Sequence, residues 1–136
     1  MIIHTKKKRL TSPEEVYKIL KSVLEVENKV DQDKEHFWSI GLNSRNDIKY
    51  VELVSLGTLN ANLVHPREVF RMAVMKGVAS ILIAHNHPSG DPNPSEDDLA
   101  ITARLIKSGK ILGIDVVDHI IITNKQFISF KEKGLI

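Results

Sequence analysis

The sequence predicts an α/β domain of the α+β type, a mixed β-sheet flanked by helices. Three observations predict it. Segments of helical and strand periodicity follow one another in the order α-β-β-α-β-α-β-β, with turn signals between them. The run Val78–Ala84 is nearly all apolar and is bounded by Gly77 and a Pro/Gly turn, which suits a central strand buried on both faces. The 136 residues fit one compact domain, and 42% of them are apolar, enough for a sizeable core.

The first helix starts at Ser12-Pro13-Glu14-Glu15. Ser12 is placed to cap it, Pro13 suits the first helical position, and Glu15 can close a capping box. Val16, Ile19, Leu20, Val23 and Leu24 then recur at helical spacing, and the helix should fade near Glu27–Asn28 into a charged linker ending at Lys34. Glu35–Leu42 reads as a strand, with its single Trp38 in the core on the face opposite Glu35. Asn43-Ser44-Arg45-Asn46-Asp47 is a turn, and Ile48–Leu56 returns as the second strand of a hairpin. Pro66 opens a second helix whose stripes are Val69, Met72, Ala73 and Lys76 on one side and Phe70 and Val74 on another, with Gly77 as its cap. After the Val78–Ala84 strand a third helix begins at Ser95. Leu99, Thr102, Ala103 and Ile106 should line its buried side, and Gly109 should stop it. Ile114–Thr123 is a strand, Asn124-Lys125 a turn, and Gln126–Phe130 pairs back. Residues 1–10 read as a basic N-terminal arm and 11–136 as the single domain.

Composition excludes several function classes. There is no cysteine, hence no disulfide, thiolate ligand or cysteine nucleophile. No apolar stretch approaches a membrane span, and no long apolar region follows the early charges Lys6, Lys7, Lys8 and Arg9, so a signal peptide is not expected. A soluble cytoplasmic protein is the expectation. Nineteen Lys and Arg against 17 Asp and Glu leave a net charge of +2, too small to argue by itself for nucleic acid. The run Lys6–Arg9 reads first as a solvated arm.

The chemistry concentrates in "IAHNHPSGDPNPSEDD", residues 83–98. Residues i and i+2 of a strand share a face, so His85 and His87 project together where a buried strand ends. Two neutral imidazoles make half of a zinc site, and catalytic zinc takes a third protein ligand while leaving one position open. Asp98, in the first turn of the next helix, is the natural third ligand, with Asp91, Glu96 and Asp97 as competitors on composition. Glu96 and Asp98 lie about 200° apart around a helix, so both cannot face the histidines. Two histidines and an aspartate suit Zn²⁺ best, although other divalent ions accept the same donors. Ser95-x-x-Asp98 is also a serviceable N-terminal cap, and the two roles are compatible. Asn86 faces away from the histidines and should order the turn. Asp118 and His119 face opposite ways on the late strand; one of them either orients a ligand histidine or is a buried, satisfied polar residue. His65 reads as a helix-entry residue, and His4 and His36 as surface residues.

His85-Asn86-His87-Pro88, six residues, then Ser95-Glu96-Asp97-Asp98 resembles the JAMM motif of the JAB/MPN metallopeptidases. "HNHPSGDPNPSEDD", with "GTLNANLVHPREVFRMAV" upstream and "LGIDVVDHIII" downstream, is similar more narrowly to the RadC family of bacterial proteins, named as DNA repair proteins. The resemblance runs from about Thr11 to Ile136. It implies the JAB/MPN fold, of the cytidine-deaminase-like class, with zinc on two His and one Asp. It also implies a glutamate upstream of the histidines, and the matching residue is Glu35 in "DKEHFWSIGLN".

The expected activity is that of a zinc metallopeptidase cleaving a peptide or isopeptide bond in an unknown peptide or protein substrate. A zinc-activated water would attack, Glu35 would act as general base and then acid, and Ser95 would hydrogen-bond the developing oxyanion. The alternative is a DNA repair-associated protein that binds or processes nucleic acid, with weak DNA association and the metal site in an accessory role. Full-length RadC proteins typically carry an N-terminal segment resembling helix-hairpin-helix modules. The chain here starts at "MIIHTKKKRL", so DNA binding through such a module is not expected. It also lacks room for the insertions that shape ubiquitin-binding surfaces in related enzymes, so ubiquitin is not the expected substrate.

Overall fold

The structure, a computed structural model, describes residues 1–3, 9–57 and 64–136. Along the chain these form β1 (Ile2–Ile3), α1 (Pro13–Glu25), α2 (Lys29–Gln32), β2 (His36–Leu42), β3 (Ile48–Leu56), α3 (Pro66–Lys76), β4 (Ser80–Asn86), α4 (Glu96–Leu112), β5 (Asp115–Ile122) and β6 (Phe127–Ser129). The strands make one six-stranded mixed sheet in the order β1-β3-β2-β4-β5-β6. β2 pairs antiparallel with both β3 and β4, whereas β4 and β5 run parallel and are joined through α4. The fold is therefore α+β, consistent with a JAB/MPN domain.

Alternation along the strands divides the core into two layers. Phe37, Ile81 and Ile83 face α3 and α4, where they meet Val69, Phe70, Ala73, Ile101 and Leu105. Trp38, Ile40, Leu82, Ala84, Ile120 and Ile122 face α1 and pack on Val16 and Leu20. A strand covered on both sides has no solvent face, which is why β4 is buried from end to end and reads as a continuous apolar run. Each large side chain fully buried in this way contributes about 1.5–3 kcal/mol. Among the described residues no helix is long and apolar enough to cross a membrane.

Several local expectations are corrected. Ser12 stands at the N-cap of α1, but its side chain makes no capping bond; the Glu15 N–H donates to the Ser12 backbone carbonyl at 3.2 Å, and the Glu15 carboxylate accepts from Thr11. The charged linker after α1 contains the short helix α2, capped by the Asn28 side chain, which accepts from the Asp31 N–H at 2.8 Å. Phe70 joins Val69 and Ala73 on the buried side of α3, while Val74 is exposed.

The buried face of α4 is Asp98, Ile101, Thr102, Leu105 and Gly109, with Leu99 and Ala103 exposed. Both this face and the expected one have helical spacing, and the sheet selects between them. Gly109 does not stop α4. The helix continues to Leu112 and ends at Gly113, whose φ of 74° is the left-handed conformation that favours glycine. Gly109 is needed for close approach, since a Cβ there would lie 2.3 Å from the Ile114 carbonyl oxygen. Part of the expected basic arm is structured as β1, which pairs with β3 at Glu52 and Val51, and Arg9 forms a bridge to Asp47. Lys6, Lys7, Lys8 and His4 lie outside the described residues, as do residues 58–63 of the upstream stretch.

Candidate metal centre

The three predicted ligands meet at the C-terminal end of β4. His85 is the next-to-last residue of that strand, His87 follows just beyond it, and Asp98 occupies the third position of α4. The N-terminus of α4 is brought to the strand end by the capping box. The Ser95 Oγ accepts from the Asp98 N–H at 3.1 Å, and Asp98 Oδ2 accepts from the Ser95 N–H at 2.9 Å. The cap therefore also aims the Asp98 carboxylate.

His85 Nε2 lies 3.1 Å from Asp98 Oδ1, His87 Nε2 lies 3.1 Å from Asp98 Oδ2, and the two Nε2 atoms are 2.9 Å apart. Donors bound at about 2.0–2.1 Å around a tetrahedral ion stand about 3.3 Å from one another, so the triad needs only a slight spread to hold one. The donor chemistry agrees. His87 Nδ1 is 2.7 Å from the Asp91 carbonyl oxygen, which can only accept. The hydrogen of the neutral ring therefore sits on Nδ1, and Nε2 turns a lone pair toward the other donors. Two imidazole nitrogens and a carboxylate gathered at one point fit a divalent cation.

The electrostatics run the same way. Burial alone would raise the Asp98 carboxyl, but the His85 and His87 rings beside it and the hydrogen bond from the Ser95 amide outweigh it and hold the group well below the usual carboxylate range. Burial works against protonation of His87, yet the Asp98 carboxylate, the Asp91 carbonyl and the charge of Glu35 raise its value. Burial drives His119, which is fully enclosed, well below the usual histidine value, with the His85 ring adding to the effect.

The other candidates fall into place around this centre. A cleft of about 720 Å³ is lined by Glu35, His87, Ser95 and Asp98, with Asp33, Lys34, Gly57, Asp91 and Asp97 among its walls. Asp91 and Asp97, competitors for the third ligand place, thus line the cleft while Asp98 joins the histidines. Glu35 is half-buried immediately before β2. Its backbone is pinned, because its carbonyl accepts from the Gly57 N–H at 2.9 Å. Asn86, expected to order the turn after β4, reaches across to β2 instead. Its Oδ1 accepts from the His36 N–H at 2.5 Å, and its Nδ2 donates to the Lys34 carbonyl at 3.1 Å, so one amide grips the chain on both sides of Glu35.

Asp118 and His119 separate as their alternation requires. Asp118 is a buried, satisfied carboxylate that accepts from Ser129 Oγ at 2.5 Å and from the Lys131 N–H at 3.0 Å. His119 reaches the centre, with Nε2 2.7 Å from His85 Nδ1 and Nδ1 2.6 Å from Thr102 Oγ1. Thr102, read from the sequence as a core position of α4, is thus a polar member of the site. Its only sequence signal is its place four residues after Asp98, one turn along the same helix face. His36 is not on the surface. It is fully buried, stacked on Trp38 at 5.1 Å, with Nδ1 2.8 Å from the Lys34 carbonyl and Nε2 2.6 Å from the Glu27 carboxylate. His65 stands exposed at the N-cap of α3.

With this geometry in hand, the comparisons with known proteins are specific. The family model of the RadC-like JAB domain matches residues 10–135. A UPF0758 protein of Desulforamulus reducens is 51% identical over 113 residues, which are 83% of this chain and 50% of that protein. A UPF0758 protein of Methanosarcina mazei is 44% identical over 130 residues, 96% of this chain and 55% of that protein. UPF0758 protein GK2618 of Geobacillus kaustophilus is 50% identical over 103 residues, 76% of this chain and 46% of that protein. The chain spans about half the length of the curated relatives it matches, and their names state no activity. Because the family match covers nearly all of the sequence, including every residue of the candidate centre, this chain belongs to the RadC family and forms a RadC-like JAB domain.

Proposed function

We propose that the chain is a zinc-dependent hydrolase, a metallopeptidase that cleaves a peptide or isopeptide bond in a protein or peptide substrate. JAB domains are often metallohydrolases. The observation that carries the proposal is the convergence of His85, His87 and Asp98 beside a cleft that Glu35 and Ser95 also line. Zinc held by these three supplies Lewis acidity and makes a water acidic enough to be deprotonated near neutral pH.

The chain's own residues account for the remaining work. Glu35 moves one proton, taking it from the attacking water and delivering it to the leaving amine. Asn86 fixes the backbone on either side of Glu35, so the carboxylate is presented from a held position. Ser95 Oγ accepts the Asp98 N–H through a lone pair, which leaves its hydroxyl hydrogen to donate to the oxyanion that develops on the scissile carbonyl. Asp98 stays ionised at any working pH, and the Asp91 carbonyl keeps the His87 hydrogen away from the ion.

The charge of the cleft bears on the substrate. Among the described residues, Asp33, Glu35, Asp91, Asp97 and Asp98 line it against the cation Lys34, whose ammonium lies 2.9 Å from Asp31. Such walls suit a neutral or cationic peptide segment and oppose a polyphosphate backbone. The nucleic-acid reading rests on Lys6–Arg9, most of which lies outside the described residues. DNA affinity with a log–log salt slope of several units would favour it.

The test is metal analysis of purified protein beside His87→Ala, followed by a peptide-library screen with wild type and Glu35→Gln. Glu35→Gln should retain metal and lose turnover by on the order of 10²–10⁴-fold. Full activity in that variant would overturn the assignment of Glu35.

A further inference from the structure

A ligand histidine offers its Nε2 lone pair to a metal only while its hydrogen stays on Nδ1, and in His85 the Asp98 Oδ1 3.1 Å from Nε2 would draw that hydrogen the other way in metal-free protein, so the Nδ1 side must hold it. The usual partner that holds such a hydrogen is a carboxylate, a backbone carbonyl or water, each of which can accept. His85 Nδ1 faces a second imidazole instead, His119 Nε2 at 2.7 Å. A neutral imidazole nitrogen either donates or accepts, so the direction of this bond depends on what holds the far side of His119.

That far side is Thr102. Its Oγ1 stands 2.6 Å from His119 Nδ1 and 2.8 Å from the Asp98 backbone carbonyl oxygen, and it has one hydrogen for two contacts. The carbonyl can only accept. If Thr102 gives its hydrogen to Asp98, His119 Nδ1 donates to Thr102, His119 Nε2 accepts from His85 Nδ1, and His85 Nε2 carries the lone pair. If the hydrogen goes to His119, the order reverses and His85 Nε2 is protonated. Two oxygens 2.8 Å apart are then left with no hydrogen between them. The first arrangement closes every contact in the chain and leaves the His85 Nε2 lone pair and Asp98 Oδ1, 3.1 Å apart, for a cation to bridge.

We propose that Thr102 and His119 form a tautomer lock, in which the Asp98 carbonyl, Thr102 hydroxyl, His119 and His85 make a one-way hydrogen-bond chain that keeps the Nε2 lone pair of His85 on the metal. Both are positioning residues that act through His85. The surroundings prevent the chain from rearranging. His119 is fully buried, stacked on Phe130 at 4.3 Å and met edge-on by Phe37 at 6.0 Å, so its ring is shut off from bulk solvent and packed between two aromatic rings. The chain also starts and ends on the ligand set, because Asp98 supplies both the terminal carbonyl and a carboxylate of the centre. An imidazole acceptor polarises His85 less than a carboxylate would, which keeps the ligand a neutral donor and preserves the Lewis acidity of the ion.

The inference rests on the metal reading of the site but not on peptidase activity, and its test begins in metal-free protein. Two-bond proton–nitrogen correlation spectra report which ring nitrogen bears hydrogen. In wild type, His85 and His119 should both be Nδ1–H tautomers. In Thr102→Val, His119 should shift to Nε2–H, and zinc affinity measured by chelator competition should weaken by on the order of 10–100-fold. Thr102→Ser, which keeps the hydroxyl, should restore both readouts. His119→Gln, which keeps an acceptor near the Nε2 position, should bind zinc more tightly than His119→Leu. An Nε2–H tautomer of His85 in the wild type, or unchanged zinc affinity and tautomers in Thr102→Val, would overturn the lock. If zinc fails to bind while the wild-type tautomers are as stated, the metal reading fails and the lock stands.

Discussion

Asn86→Ala removes the bridge between β4 and the chain around Glu35. Asn86 is 3% exposed, so water does not reach its amide freely. Two groups lose their partner, and they lose it unequally. The Lys34 carbonyl keeps a second donor, His36 Nδ1 at 2.8 Å, so its loss is that of one ordinary hydrogen bond, about 0.5–1.5 kcal/mol. The only described partner of the His36 N–H is Asn86 Oδ1, and a buried orphaned donor costs about 1–3 kcal/mol. The sum is about 1.5–4.5 kcal/mol, toward the lower end where a water enters from the small adjoining cavity that Asn86 lines. Urea unfolding of the metal-free protein measures it, with an unchanged m-value showing that the comparison is sound. Asn86→Asp is the sharper control. It keeps the acceptor for His36 but turns a second oxygen toward the Lys34 carbonyl, so it should be no more stable than the alanine variant. Zinc affinity should change by less than about tenfold in Asn86→Ala, because the rings of His85 and His87 are held by His119 and Asp91. A stability loss below about 0.5 kcal/mol would refute the bridge as the element that holds the Glu35 segment.

Three further outcomes are expected. Zinc at a thousandfold excess over its dissociation constant should stabilise the protein by about 4 kcal/mol in thermal or urea melts, chelator should reverse this, and His87→Ala should show none of it. Gly109→Ala sets helix propensity, about 0.8–1.0 kcal/mol in favour of alanine, against a Cβ 2.3 Å from the Ile114 carbonyl, and the backbone clash should win by about 1–3 kcal/mol of net destabilisation on unfolding. His119 is held well below its unfolded value of about 6.5 by burial and the neighbouring ring, so below that pH the unfolded chain binds a proton that the native one refuses. Metal-free protein should therefore lose up to about 1.4 kcal/mol per pH unit from this group as pH falls below about 6.5. Stability curves of wild type and His119→Gln should converge in that range. His87, whose value is raised, contributes the opposite slope in both proteins, present below about 6.5 and lost as pH rises through its folded value.

The cluster of His85, His87 and Asp98 is legible in the sequence because its geometry is local. Alternation along a strand fixes His85 and His87 to one face, and the third position of a capped helix fixes where Asp98 points. Only the chain reversal Pro88–Pro94 separates the two halves. Glu35 is singled out by family resemblance alone, since no spacing rule connects a residue before β2 with histidines about 50 positions later. The buried face of α4 differs from the expected one because two overlapping sets of residues satisfy helical spacing, and a helix presents whichever set its neighbours cover. The α1 cap differs because the Glu15 carboxylate accepts from Thr11, one residue before the expected cap.

The sequence by itself determined the order of the elements from α1 onward apart from the short α2, the apolar central strand and the three donors, all consequences of steric and hydrophobic rules that act over a few residues. Tertiary structure alone decided what those donors lean on. His119 meets His85 because β5 runs parallel to β4 in a particular register, and Thr102 meets His119 because α4 turns that face to the sheet. Asn86 reaches Lys34 and His36 because β2 lies beside β4 on the edge away from β5. Hydrogen bonds form only within about 3 Å, and between elements tens of residues apart that distance is set by strand pairing and helix packing.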